Sequence, residues 1–205
     1  MIDLFVFDLG NVILPFDHRP IATKLHERSI GNGVWTPQKI FDDLFDYANG
    51  IINRYEEGLT SSLEFYLEIR NRYHLDLPYE EFKEIWNNIF RDNPEVNELI
   101  VYLKAKGRPV FILSNTNELH FSHIIDRFPI VHTVDDWILS FEVGAKKPDK
   151  RIYGAIFEKA DVKGESILFI DDMEKNVAAA RALGMQGIVY TNPADLWDAV
   201  RRLNV

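Results

Sequence analysis

The chain has 205 residues, with 23 Lys and Arg against 32 Asp and Glu, for a formal net charge of −9. Cysteine is absent, which excludes a disulfide framework, a thiol nucleophile and any cysteine-ligated zinc or iron–sulfur centre. Hydrophobic residues make up 46%, enough for a packed core at this length, and the acid excess without a basic stripe argues against a nonspecific nucleic-acid binder.

The first residues, MIDLFVFDLGNVILPF, are apolar but lack a basic leader, and Asp3 and Asp8 interrupt them. They do not read as a signal peptide. No apolar run is long enough to span a bilayer, so a soluble protein of the cytoplasm is expected. Residues 4–8 (LFVFD) form a short apolar run that ends in an acid and a Gly-Asn turn, the pattern of a buried strand. Residues 15–93 show no strong strand signal. Helical patterns occupy 40–47, 61–73 and 79–90, separated by Gly31-Asn32-Gly33, Gly58 and Pro78. Pro94 opens a helix expected to reach residue 106. Residues 109–113 (PVFIL) repeat the strand pattern, as do 166–170 (SILFI) and 186–190 (QGIVY), and 138–141 (ILSF) offers another. Helices are expected at 118–128, 150–160, 173–183 and 193–203, with Gly184 at a helix C-cap and Pro193 in a first turn. Strands alternating with helices predict an α/β fold: a Rossmann-like parallel sheet in two stretches, 1–14 and 94–205, with a helical module inserted at 15–93 after the first strand.

Ligands of open α/β sheets gather at the carboxyl ends of the strands. Those ends carry Asp8, Gly10 and Asn11, then Ser114 and Asn115, then Asp171 and Asp172. The connection GAKKPD adds Lys147. Three carboxylates in one crevice repel one another unless a hard cation such as Mg²⁺ neutralises them. A lysine and a hydroxyl beside that cation suit a phosphate, and one carboxylate can then act as a nucleophile. Each residue also has a plainer reading. Asp8 can simply end a strand, and Asp172 and Ser114 can cap the helices that follow.

Together, FVFDLGNVI, FILSNTNE, GAKKPDKRIY and FIDDMEKNVAAARALG resemble, in this order and over essentially the whole chain, the motifs of the haloacid dehalogenase-like hydrolase superfamily. The helical insertion resembles that superfamily's α-helical cap. The Asp-Asp form of the last motif is similar to the branch containing small sugar-phosphate phosphatases. The resemblance implies a Mg²⁺-dependent phosphatase acting on a small phosphorylated metabolite, such as a sugar phosphate, through a phospho-aspartate. It makes Asp8 the nucleophile, with Ser114, Asn115, Lys147 and Asn11 on the phosphate side. Asp8, the Gly10 carbonyl and Asp172 are then metal ligands, with Asp171 a ligand or a support behind one. One position departs from the pattern. The phosphatases usually carry a second Asp two residues after the nucleophile, as general acid and base, and here the residue is Gly10. Such a group contributes ~10²–10⁴-fold. The gap leaves two further readings open: a metal-independent dehalogenase, whose halide leaves without a proton, and a silent module that binds a phosphorylated ligand or a protein.

Several residues tempt less. His120 and His123 share a helical face that reads as exposed. His18 and Arg19 follow the first strand and reach either substrate or solvent. Glu56-Glu57 reads as a solvated face. The aromatic residues Phe65, Tyr66, Tyr73, Phe82, Trp86 and Phe90 read as the core of the insertion. Oligomeric state is not legible.

Overall fold

A computed structural model describes residues 1–30 and 33–203. Gly31 and Asn32 of the expected breaker lie outside the described residues. Strand β1 (Leu4–Phe7) is followed by five helices: α1 (Arg19–Glu27), α2 (Pro37–Phe45), α3 (Ile52–Glu56), α4 (Ser62–Arg72) and α5 (Tyr79–Asn87). Then come α6 (Pro94–Ala105), β2 (Val110–Ser114), α7 (Glu118–Arg127), β3 (Asp136–Leu139), α8 (Ser140–Val143), α9 (Lys150–Lys159), β4 (Ile167–Asp171), α10 (Glu174–Ala182), β5 (Gln186–Val189) and α11 (Pro193–Arg201). The strands form one parallel sheet in the order β3-β2-β1-β4-β5. No described helix is long and apolar enough to cross a membrane.

The central strands are buried along their whole length, because helices cover both faces. Phe5, Phe7, Ile112 and Ile170 point to one side and pack with Leu99, Leu103, Ile124 and Val200 of α6, α7 and α11. Val6, Phe111, Leu113 and Phe169 point to the other and pack with Ile152, Ile156 and Val177 of α9 and α10. The helical stretch between β1 and α6 has a separate core of Ile21, Leu44, Tyr55, Phe65, Phe82 and Trp86. Of the aromatic residues expected there, all are buried except Phe90, which is half-buried. The chain leaves and rejoins the sheet region at one place, where Phe16 pairs with Phe90 and the Arg91 N–H donates to the Pro15 carbonyl at 2.9 Å.

Local signals explain most of these boundaries. Thr36 caps α2 before Pro37, and Ser61 with Glu64 forms a capping box on α4. Gly184 takes φ 87° just past α10, a value that L side chains resist. Helices α1 and α3 were not expected. Neither has a capping side chain, and α3 has only five residues. Strand β3 starts two residues before the expected 138, and residues 140–143 turn into a helix. Its first residues, Asp136 and Trp137, are half-buried at the edge of the sheet, so the apolar run begins late.

Candidate active site

The pairing of β1 with β4 sets Phe7 against Ile170, and the Asp8 N–H donates to the Ile170 carbonyl at 2.8 Å. Asp8 therefore stands beside Asp171. The peptide between α8 and α9 brings in Lys147. Its ammonium lies 2.6 Å from Asp8 Oδ1 and 2.7 Å from Asp171 Oδ2, and donates to the Leu113 carbonyl at 3.0 Å. Asn115 clamps the Lys147 backbone from both sides, accepting from its N–H at 2.7 Å and donating to its carbonyl at 3.1 Å. Lys147 is 1% exposed and Asp171 0%, so this is a buried charge cluster in which Lys147 and Asp171 have their charged atoms paired.

The carboxylates differ in their partners. Asp171 Oδ1 accepts from the Met173 N–H at 2.8 Å and from the Asn176 amide at 2.9 Å, and Oδ2 takes Lys147 and, at 3.1 Å, the same amide. Both Asp8 contacts, the Leu9 N–H at 2.7 Å and Lys147, fall on Oδ1. Asp172 is half-buried and, among the described residues, receives only the Asn11 amide from a side chain, at 3.3 Å. Asn11 holds φ 56°, a left-handed turn that Asn tolerates better than most residues. Oxygen atoms of Asp8, Asp171 and Asp172 all lie within 4.8 Å of one another, and the Gly10 backbone borders the same cavity. Hard oxygen donors gathered this closely fit Mg²⁺.

The electrostatics agree. Burial raises the Asp8 carboxyl pKa to about 8; Lys147 works against this and Asp171 with it. Burial and Asp171 also push Asp172 up. Burial opposes the charge on Lys147, but Asp8 and Asp171 outweigh it and hold its pKa raised. The cluster is one cation short of neutrality, and a divalent ion would release the proton on Asp8.

A cavity of about 210 Å³ opens over this cluster, bordered by Asp8, Gly10, Asn11, Asn115, Lys147 and Asp172. Ser114 and Asp171 are buried directly behind, as the last residues of β2 and β4. The capping alternatives are excluded, since α7 is capped by Asn117 and no side chain caps α10. The opposite wall comes from the insertion and the loop before it. There Lys146 lies 3.0 Å from Glu56 and also bonds Asn53, and the Tyr47 hydroxyl donates to the Lys147 carbonyl at 3.2 Å.

This corrects two expectations and decides between the two readings of a third pair. Glu56 is not on a solvated face; it is largely enclosed, and burial raises its pKa against the pull of Lys146. His120 is 4% exposed, bonded to Asn117 and the Trp86 carbonyl and stacked on Trp86, so it supports the insertion. Of the pair His18 and Arg19, only His18 faces the cavity; Arg19 is exposed and pairs with Asp17. Sequence reasoning missed Tyr47, Asn53 and Lys146. The spacing of Asn53 and Glu56 on one face of α3 was the available signal.

The family model for haloacid dehalogenase-like hydrolases matches residues 2–184. The chain belongs to this family. It is 28% identical to a D-ribitol-5-phosphate phosphatase of Bacteroides thetaiotaomicron, covering 95% of each chain. It is 24% identical to a phosphorylated carbohydrates phosphatase of Thermotoga maritima, covering 91% of this chain and 85% of that one. Among solved structures, a family enzyme of Bacteroides thetaiotaomicron in complex with magnesium and inorganic phosphate superposes with a TM-score of 0.82 at 25% identity, over 93% of this chain and 95% of that one.

Proposed function

We propose that the protein is a Mg²⁺-dependent phosphatase of small phosphorylated metabolites, of the sugar or polyol phosphate class, working through a phospho-Asp8 intermediate. One observation carries this reading: three carboxylates and a buried lysine converge beneath one cavity. A dehalogenase needs no such acid cluster, and a silent module has no reason to keep it assembled.

Asp8, the Gly10 carbonyl and Asp172 would hold Mg²⁺, with Asp171 behind them keeping Lys147 in place. The bound ion would neutralise charge on the phosphoryl oxygens. Asp8 Oδ2, which takes no protein hydrogen bond among the described residues, is the oxygen free to attack phosphorus. Lys147 orients Asp8 through Oδ1 and offsets the negative charge that gathers there. Ser114, Asn115 and Asn11 bind on the phosphate side. As the new bond to phosphorus forms, the ester P–O bond breaks and the alcohol leaves. Water then attacks phosphorus and frees the carboxylate. Residues 1–14 and 94–205 carry this chemistry, and residues 15–93 cover it and exclude water. Both the substrate class and the absence of cysteine suit the cytoplasm.

The test is a panel of an aryl phosphate, sugar and polyol phosphates and 2-haloacids, with Mg²⁺ and with chelator. Phosphate release that stops with chelator supports the reading. Halide release that persists in chelator overturns it.

A further inference from the structure

We propose that His18 transfers the proton that a side chain at position 10 would otherwise handle. This rests on the phosphatase reading above. Gly10 is not merely an empty place. A Cβ built there would lie 2.7 Å from the edge of the Phe16 ring, far inside contact distance. Phe16 therefore holds the space through which an acidic side chain at position 10 would leave the backbone. The same ring packs against His18, with centroids 4.6 Å apart, and Phe45 stacks on the imidazole at 4.2 Å and 6° between planes. The ring that closes position 10 thus holds His18 at the wall of the cavity shared with Asp8, Gly10 and Asp172.

The imidazole is clamped by stacking alone. Among the described residues neither of its nitrogens has a hydrogen-bond partner, whereas His120, the next imidazole in the stack, has both nitrogens bonded. His18 is half-buried at the cavity wall, so the stacking holds its ring while its nitrogens stay open to a ligand or water. Glu56, the alternative acid in the cavity, is committed to Lys146 at 3.0 Å. Asp17, next in sequence, is turned away to Arg19.

The proton accounting closes. Burial keeps His18 neutral, with a pKa lowered to about 4. A phosphomonoester bound as its monoanion, with its second ionisation near pH 6, brings one proton on a phosphoryl oxygen. When Asp8 attacks phosphorus and the ester P–O bond breaks, neutral His18 gives its ring N–H proton to the leaving oxygen and takes up the phosphoryl proton at its other nitrogen. Neutral His18 then takes a proton from the water that attacks phospho-Asp8, and the remaining hydroxyl stays on the phosphate. His120 is the ionisable ring next along the stack, and Asp17, though its carboxylate is bonded to Arg19, favours the charged form of the imidazole.

The experiment exploits leaving groups. An alkoxide must be protonated as it leaves; a nitrophenolate need not be. His18→Phe keeps the aromatic stack and removes the nitrogens, and His18→Ala removes both. With Mg²⁺ present, the alcohol released in the first turnover is measured for a polyol phosphate and for a nitrophenyl phosphate, alongside a thermal melt of each variant. The expected result is a loss of about 10²-fold or more for the polyol phosphate in both variants, and less than about tenfold for the aryl phosphate. His18→Phe should melt close to the wild-type temperature, because it keeps the stack. Equal losses on the two substrates, or full polyol phosphate turnover by His18→Phe, overturn the assignment. A wild-type protein that releases phosphate from neither substrate overturns the phosphatase reading itself, and this inference with it.

Discussion

The two walls of the cavity are built differently. The sheet wall places Asp8, Ser114 and Asp171 at strand ends, fixed by parallel registers that allow no slip without turning buried faces outward. The helical wall places His18, Phe45, Tyr47, Asn53 and Glu56 by packing around a separate core. Neighbouring lysines make the contrast concrete. Lys147 belongs to the sheet wall and is paired with two buried carboxylates, while Lys146 reaches across to Glu56 and Asn53. The sheet wall carries chemistry common to many substrates. The helical wall is free to select one of them.

This contrast can be broken by substitution. Asp8→Asn should lower phosphate release by at least about 10⁴-fold while leaving the fold intact, as expected for removal of a nucleophile; steady-state assays and circular dichroism check both halves. Lys147→Met should be the most destabilising of the lysine changes. It leaves Asp8 and Asp171 buried without their cation, at a cost of about 3–5 kcal/mol, read by urea unfolding. Lys146→Met should cost less, about 1–3 kcal/mol, because it strips one enclosed carboxylate of its cation rather than two, and should act on KM for a polyol phosphate more than on kcat. Equal stability losses for the two lysines would dissolve the distinction.

Position 10 sharpens the comparison further. Gly10→Asp alone should destabilise by about 1–3 kcal/mol, because its Cβ meets the Phe16 ring. A gain in stability from that single change would show that the ring yields freely.

The remaining effect is on pH. Burial holds the Asp8 carboxyl near 8 in the folded metal-free protein, against about 3.9 for a free aspartate. The folded state then binds the extra proton between those values, so metal-free stability should fall as pH rises from about 4 to 8. Mg²⁺ competes with that proton, and its stabilisation should grow over the same window. Melting curves at pH 5, 6.5 and 8, with and without Mg²⁺, read the sign directly.

The sheet wall was legible in the sequence because strands ending in polar residues leave a short-range signature. Asp8, Ser114 and Asp171-Asp172 each follow an apolar run. Lys147 depended on the family resemblance for its role, and the structure adds that Asn115 fixes its backbone. The helical wall was not legible. Helix α3 is too short to carry a periodic signal and lacks a cap, so Glu56 read as a surface residue. His120 read as exposed because its burial depends on Trp86, thirty-four residues away. The meaning of Gly10 lay in Phe16, a contact that no spacing rule predicts.

Trapping the enzyme in mid-turnover tests the central claim most directly. The protein is mixed with substrate and Mg²⁺, quenched in acid, and its peptides are weighed by mass spectrometry. A phosphoryl adduct on the peptide holding Asp8, absent with chelator and in Asp8→Asn, is the predicted result. Phosphate release at full rate with Asp8 never modified would contradict it.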